Sequence, residues 1–433
     1  MSAVERISGN KIEAVNCMVS LAFVRDGFAA MQARVHSWLA LGFMAFLVGA
    51  FFLERNQTLF YILVALPALL LLGRLKTLIR VDSWGIISIL TFLGYFSLSA
   101  LWSSGDGSLQ TALKFSLYII CLVLSIEAAA KRFSMNSVAA IIAVAAAISA
   151  VGYLVSVLVG DIPLRNLAAG RFSLEAMAGW GPDNPITSGV VFGLSVISAW
   201  WLFPKRPWYV QTILVLLILA SLVLMFISKS RGPFVALSFA LLLLVCFRRS
   251  RVDLVLAAGL GLVILLCVLL LNLDVIAIKR ASAPNYRLGI WLEALERIRE
   301  HWMFGQGFGH DARILLPGGR AVTHSHSFVL EVFRQGGVVG GGLFFFMLAL
   351  LLRRALVQPA GFFLLWLVYG AVCLSTNGRI VLSRPSVEWF SFWLPLLLAY
   401  FAAIHMQVGR EQPESDELLR QTMKSSLPAQ AKL

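Results

Sequence analysis

Hydrophobic residues run through this chain in blocks too long for strands and too uniformly apolar for surface helices. Twelve such blocks stand out, at roughly 38–53, 58–73, 84–102, 109–130, 137–160, 186–203, 209–228, 234–247, 252–271, 338–352, 360–374 and 387–404. They are continuous and lack the period-two alternation of a membrane barrel, so they read as helices, which satisfy their own backbone inside lipid. Several fall short of the roughly 20 residues that span a bilayer core. Their ends are therefore soft, and 38–73 and 209–247 read as tight helical hairpins. The expected fold is all-α: a polytopic membrane protein with about twelve transmembrane helices and one large extramembrane loop, 272–337. Residues 1–37 and 405–433 flank the membrane body, 38–404, as polar tails. The first strong apolar run begins near Trp38, too far in for a cleavable signal peptide, so it is expected to remain as an anchor.

Composition sharpens this picture. The chain is 59% hydrophobic and only 13% charged, about half the charge of a soluble domain. The net charge of +14 punctuates the apolar blocks rather than forming a basic face. Membrane orientation and anionic lipid explain it, and nucleic acid is not an expected partner. Twenty of the 36 Lys and Arg fall in one set of short connections and in both tails, among them Arg74, Lys76, Arg80, Lys131, Arg132, Arg353 and Arg354. The positive-inside rule makes that side cytoplasmic, with both termini inside. Of the five cysteines, Cys17 lies in the first tail and Cys121, Cys246, Cys267 and Cys373 lie within apolar blocks. Neither a disulfide framework nor a cysteine zinc site is indicated.

Three regions on the opposite side carry the polar chemistry. The first is 161–185, with Arg165, Arg171, Trp180, Asp183 and an Asn184-Pro185 helix start. The second is Ser228-Lys229-Ser230-Arg231-Gly232-Pro233, where Lys229 and Arg231 run against the charge rule. The third is 272–337, which holds four of the six histidines. Within it, residues 287–302 read as an amphipathic helix, with Leu288, Trp291, Leu292, Leu295, Ile298 and Trp302 on the apolar side and Glu293 four residues before Arg297. That helix is expected to lie against the membrane surface or the tops of the spans. Gly305, Gly307 and Gly309 follow a helix rather than a strand, so they read as a chain-reversing turn and not as a dinucleotide loop.

The sharpest feature is His324-Ser325-His326-Ser327. An imidazole is suited to proton transfer near neutral pH. Ser327 reads as the N-cap of a short apolar helix over 328–335, which puts His326 at the helix mouth. Two other readings stand beside this one: a histidine that only bonds within its loop, and a metal site made by His324, His326 and a third ligand such as Asp311. Arginine's planar fork suits phosphate oxygens. Arg231 and Arg287, with Lys229 and Arg165 or Arg171, are candidates to hold a lipid-linked phosphate or pyrophosphate, or ordinary lipid headgroups. Lys114, inside the fourth apolar block, is expected to point into a polar cavity.

These residues resemble the O-antigen ligase family, with the related O-antigen polymerases and protein O-oligosaccharyltransferases. The family's signature is a histidine, then Asn, Ser or Gln, nine residues, Gly, two residues, then Gly, Thr or Tyr. It matches here as His326-Ser327, Gly337 and Gly340, and it passes over His324, for which Gln335 falls where the glycine is required. Ser230-Arg231-Gly232, and Tyr286-Arg287 through Trp291 to Gly305-Gln306-Gly307, are similar to two further stretches of the family. The resemblance covers roughly 80–400, with specific motifs in about 228–340. It implies transfer of O-antigen polysaccharide from undecaprenyl pyrophosphate to a sugar hydroxyl of lipid A–core, on the periplasmic side of the bacterial inner membrane. It implies His326 as general base, Arg231 and Arg287 as the pyrophosphate clamp, an inverting displacement, and neither metal nor cofactor. His324 and Arg379 are further candidates at the site.

Other classes fit less well. A polymerase usually presents two large outer loops, whereas 161–185 is much smaller than 272–337. A protein O-oligosaccharyltransferase would share the chemistry with another acceptor. A transporter or flippase for an anionic lipid should carry charge near the midplane of several spans, and these blocks are nearly uncharged.

Overall fold

The computed structural model describes residues 30–105, 108–160, 172–270, 286–310, 313–315, 321–357, 360–378 and 381–407. A helix underlies each of the twelve predicted blocks. In chain order they are α1 (30–49), a bent pair α2 (Gln57–Leu69) and α3 (Leu72–Val81) meeting at 65°, α4 (Ser83–Leu101), α5 (Leu109–Arg132) and α6 (Met135–Val159). A one-turn helix, α7 (Leu174–Ala178), leads to α8 (Pro185–Leu202), α9 (Trp208–Ser228) and α10 (Arg231–Arg248). Then come α11 (Arg251–Leu270) and α12 (Tyr286–Glu300). After them stand α13 (Phe328–Val357), α14 (Gly361–Ser375) and α15 (Trp389–Gln407). Among the described residues eight of these are long and apolar enough to cross a membrane, or nine if the bent pair forms one span.

Sequence explains many of the boundaries. Asp82, Ser108, Ser134, Ser173 and Asn184 each accept a backbone N–H in the first turn of the helix they precede. Pro185 sits at the first position of α8, where its missing N–H costs nothing. Helix α8 is almost wholly buried and packs against α9, α6 and α10, with α14 on a further side. Lipid offers no hydrophobic drive between apolar helices, so small residues and polar contacts do the joining. The Tyr369 hydroxyl of α14, lying across Gly193, donates to the Val190 carbonyl at 3.0 Å.

One end of the bundle carries a belt of paired cations. Buried Glu127 receives His36 at 2.7 Å, Arg74 at 3.4 Å and Lys131. Asp253 accepts the Trp200 indole N–H at 2.8 Å and faces Arg248, and Asp82 pairs with Arg354 at 3.2 Å. The opposite end carries His326.

At the His326 end, α12 buries Ile290 and Ala294, with Ile290 packed against a two-stranded ribbon of β1 (Ile314–Leu315) and β2 (Ala321–Val322). The ribbon is antiparallel, with Ile314 opposite Val322. The sequence reading set Leu288, Leu292 and Leu295 on a side lying against the membrane surface or the tops of the spans; they are exposed, while Ile290 and Ala294, one step round the helix, pack within the protein. The apolar set on α12 is wide enough to cover the ribbon with one edge and leave a leucine row free.

Candidate functional site

His326 stands in a turn whose geometry is set by buried groups beneath it. Its φ of +57° lies in the left-handed region, unfavourable for a residue with a β-carbon. The neighbours hold it there. Ser325 is fully buried, and its N–H donates to Glu331 Oε1 at 2.7 Å. The Ser325 hydroxyl donates to the Ser327 carbonyl at 3.1 Å, and the Ser327 N–H donates back to Ser325 Oγ at 3.3 Å. Ser327 occupies the expected cap position, since its carbonyl accepts the Glu331 N–H. The side-chain oxygen that engages the turn nevertheless belongs to Ser325.

Glu331 is itself completely buried. Its carboxylate takes the Arg334 fork, with the closest contact 2.7 Å, and the Gln335 amide at 3.0 Å. Arg334 reaches on to the Gln306 side chain at 3.0 Å and the His310 carbonyl at 2.7 Å. A buried charge of this kind is tolerable because every partner is present. Sequence reasoning passed over Glu331, Arg334 and Gln335. The available signal was two opposite charges three residues apart inside an apolar run.

Helix α13 is not continuous. Gly337 adopts φ +60° and ψ −162°, so 328–336 forms a half-helix in front of the long span. The segment 302–307 closes the break: Val338 N–H bonds the Trp302 carbonyl at 2.7 Å, and the Gln306 and Gly307 N–H groups bond the carbonyls of Arg334 and Gln335 at 2.8 and 2.9 Å. Gly305, Gly307 and Gly309 all have positive φ, as the expected chain reversal requires. A β-carbon on Gly305 would strike the Gln335 carbonyl, and one on Gly337 would strike that of Met303. Tyr95 of α4 seals the junction from below, donating to Gly336 O at 2.6 Å, and a β-carbon on Gly340 would lie 2.9 Å from the Tyr95 ring. The His–Gly–Gly spacing is thus the spacing from the turn to the break and on to its packing against α4.

His326 opens into a cavity of about 1010 Å³. His324 lines the same cavity, and the two imidazole centroids are 4.1 Å apart. The remaining polar wall comes from distant parts of the chain: Glu54 and Arg55, Asp183 and Asn184, Asn377, Arg384 and Glu388. Glu388 is buried and accepts the Ser386 hydroxyl at 2.5 Å. Phe46, Phe115 and Phe390 supply apolar surface.

The arginine turn lies alongside. Lys229 caps α9 in the left-handed region with φ +47°, and Arg231 begins α10. A β-carbon on Gly232 would be 3.1 Å from Thr376 Oγ1, while one on Gly378 would collide with Phe328. The segment 376–378 therefore spans from the arginine turn to the foot of the His326 turn, with Asn377 in the cavity wall. Arg287, in the first turn of α12, is half-buried. Burial lowers its proton affinity first, and the nearby Arg231 charge lowers it further. The two guanidinium groups thus share one neighbourhood although 55 residues separate them in sequence.

Other expectations fare differently. Lys114 is exposed near the start of α5, its ammonium 5.6 Å from the Phe115 ring centroid. It is Phe115, one residue on and so about 100° round the helix, that faces the cavity. Arg165, Arg171, Asp311 and Arg379 lie outside the described residues. Among the described residues no three His, Cys, Asp or Glu side chains are grouped to hold a metal ion.

Bilayer-length helices with an imidazole pair and an arginine pair gathered at one end describe a helical membrane protein with a polar, partly cationic cluster at that end of the bundle. The family model described as O-antigen ligase matches residues 216–345, which contain Arg231, Arg287, His326, Gly337 and Gly340. A curated protein of Pseudomonas aeruginosa named O-antigen ligase is 33% identical over 399 residues, covering 88% of this chain and 94% of that protein. The chain belongs to the O-antigen ligase family.

Proposed function

We propose that the protein joins O-antigen polysaccharide, carried on undecaprenyl pyrophosphate, to a sugar hydroxyl of lipid A–core at the periplasmic face of the inner membrane. The observation that carries this reading is one held imidazole in a large cavity whose wall segment, 376–378, reaches to the turn of Arg231, with Arg287 in that arginine's neighbourhood. A cytoplasmic face at the far end of the bundle accords with the cation belt there.

His326 acts as general base. It takes the proton of the acceptor hydroxyl as that oxygen forms its bond to the anomeric carbon of the donor. The bond from that carbon to the pyrophosphate oxygen breaks, and the lipid pyrophosphate leaves with the electron pair. Arg231 and Arg287 neutralise the charge that develops on it, a role worth most when the cations are already in place. Holding two like charges together costs free energy in the empty site, and a bound polyanion removes that cost. Lys229, two residues before Arg231, is a further candidate for the pyrophosphate, and Arg165 and Arg171 are candidates from the sequence alone. A single displacement inverts the anomeric centre. The cations supply the charge stabilisation that a metal would otherwise give. The carboxylates and amides of the cavity wall, Asp183, Asn184, Asn377 and Glu388, suit sugar hydroxyls of donor and acceptor.

The test is ligation by purified protein with lipid A–core and lipid-linked O-antigen in EDTA, comparing the anomeric configuration of donor and product. Inverted product in EDTA supports the reading. Retained configuration, or abolition by EDTA, contradicts the mechanism. If the wild-type protein leaves lipid A–core unmodified but lengthens the lipid-linked glycan or glycosylates a protein, the acceptor assignment fails.

A further inference from the structure

At the end of the bundle away from His326, the termini of α4, α13 and α15 enclose a notch of about 350 Å³. Its lining includes Asp82, Trp84, Arg353, Arg354 and Gln407. We propose that this notch binds the phosphate headgroup of an anionic phospholipid.

Charge is the first argument. Asp82 is the single acid among the described lining residues. It is fully engaged: one oxygen takes Arg354 Nε at 3.2 Å and the Tyr400 hydroxyl at 3.1 Å, and the other takes the Gly85 N–H at 3.3 Å. Arg354 is thus held in place and neutralised. Arg353, the next residue, is exposed and adds a positive charge that Asp82 does not balance. A guanidinium accepts a phosphodiester with paired hydrogen bonds. Basic pockets between transmembrane helices at their ends are where anionic headgroups are held.

The second argument is what surrounds the charge. Trp84 is 68% exposed and Val357 73% exposed, both at the notch, and Ile87 lies exposed one turn along α4 from Trp84. This is an apolar flank leading out of a cationic recess. An indole favours the headgroup level of a bilayer, with its ring against the acyl chains. A soluble phosphate would use the recess but gain nothing from the flank. The notch is also remote from the His326 cavity, so the proposal stands whether or not the reaction assignment holds.

The experiment is native mass spectrometry of the full chain after reconstitution with equal amounts of phosphatidylglycerol and phosphatidylcholine. Wild type is expected to keep phosphatidylglycerol in preference. Arg353→Gln should lower the retained phosphatidylglycerol-to-phosphatidylcholine ratio about fivefold, the factor expected of one surface cation, while Arg353→Lys should keep most of it. Trp84→Ala should weaken retention of both lipids. A wild-type ratio in Arg353→Gln, or equal retention of the two lipids by wild type, overturns the proposal. So does an equal rise in melting temperature with millimolar inorganic phosphate, because a soluble anion would then suffice.

Discussion

The Ser325 amide donates a 2.7 Å hydrogen bond to the Glu331 carboxylate, and through it the His326 turn is tied to a fully buried ion pair with Arg334. The histidine that faces the cavity is therefore positioned by a charge pair that cannot reach the cavity itself. Glu331→Gln keeps the shape but leaves Arg334 without its counter-charge, at a cost of about 3–5 kcal/mol. The expected outcome is a clear fall in melting temperature in detergent together with loss of ligation. Full activity with an unchanged melting temperature would show that the pair does not hold the turn.

Gly337 supplies a second check on the same architecture. Its backbone lies in a region open only to glycine, and a β-carbon there meets the Met303 carbonyl. Gly337→Ala should cost at least about 1–3 kcal/mol from backbone strain and should disturb the 302–307 segment. Gly342→Ala, five residues on with open space around it, should leave stability and activity unchanged. Thermal unfolding of the two variants separates a built break from general sensitivity of α13.

The arginine pair makes a ligand prediction. Burial and Arg231 both disfavour the charged form of Arg287, so an added polyanion should relieve repulsion within the folded protein. Inorganic pyrophosphate is expected to raise the melting temperature of wild type, since a ligand that binds only the folded state stabilises it. Arg231→Gln and Arg287→Gln should blunt that rise, and Arg287→Gln should lower kcat by about 100- to 1000-fold, the range for removing one pre-placed electrostatic donor. An undiminished response in both variants would place the anion elsewhere.

His324 has a different expected role. The two imidazoles share the cavity wall with ring centroids 4.1 Å apart. If His326 alone takes the proton, His324→Gln should keep most of the ligation rate while His326→Gln loses it. Equal losses in the two variants would contradict that division.

Much of the bundle was legible because a bilayer demands long apolar runs, and α5, α6, α8 and α9 lie within a few residues of the predicted blocks. The short helix over 328–335 and the separate block from 338 bracketed the break at Gly337, but local composition does not reveal that 302–307 inserts there. The sequence reading counted the helix over 328–335 within the long loop, whereas it leads directly into the span as the first part of α13. His326 was reached through the family signature, and its glycine positions turn out to be those of the break and its packing. That Arg231 and Arg287 share a neighbourhood was guessed from chemistry, since nothing local links residues so far apart. Glu388, Arg384 and Asp183 meet His326 only through the tertiary fold. Lys114 is exposed beside Phe115, a side-chain direction that an apolar block does not reveal.

The central claim is that His326 moves the proton during glycosyl transfer while the arginine pair handles the leaving group. The most direct measurement is single-turnover ligation by His326→Ala, with the melting temperature and donor binding measured on the same preparation. The account predicts a loss of about 100- to 10,000-fold in rate, the range for removing a general base, in protein that melts like wild type and still binds the lipid-linked donor. Near-normal turnover by folded His326→Ala would contradict it.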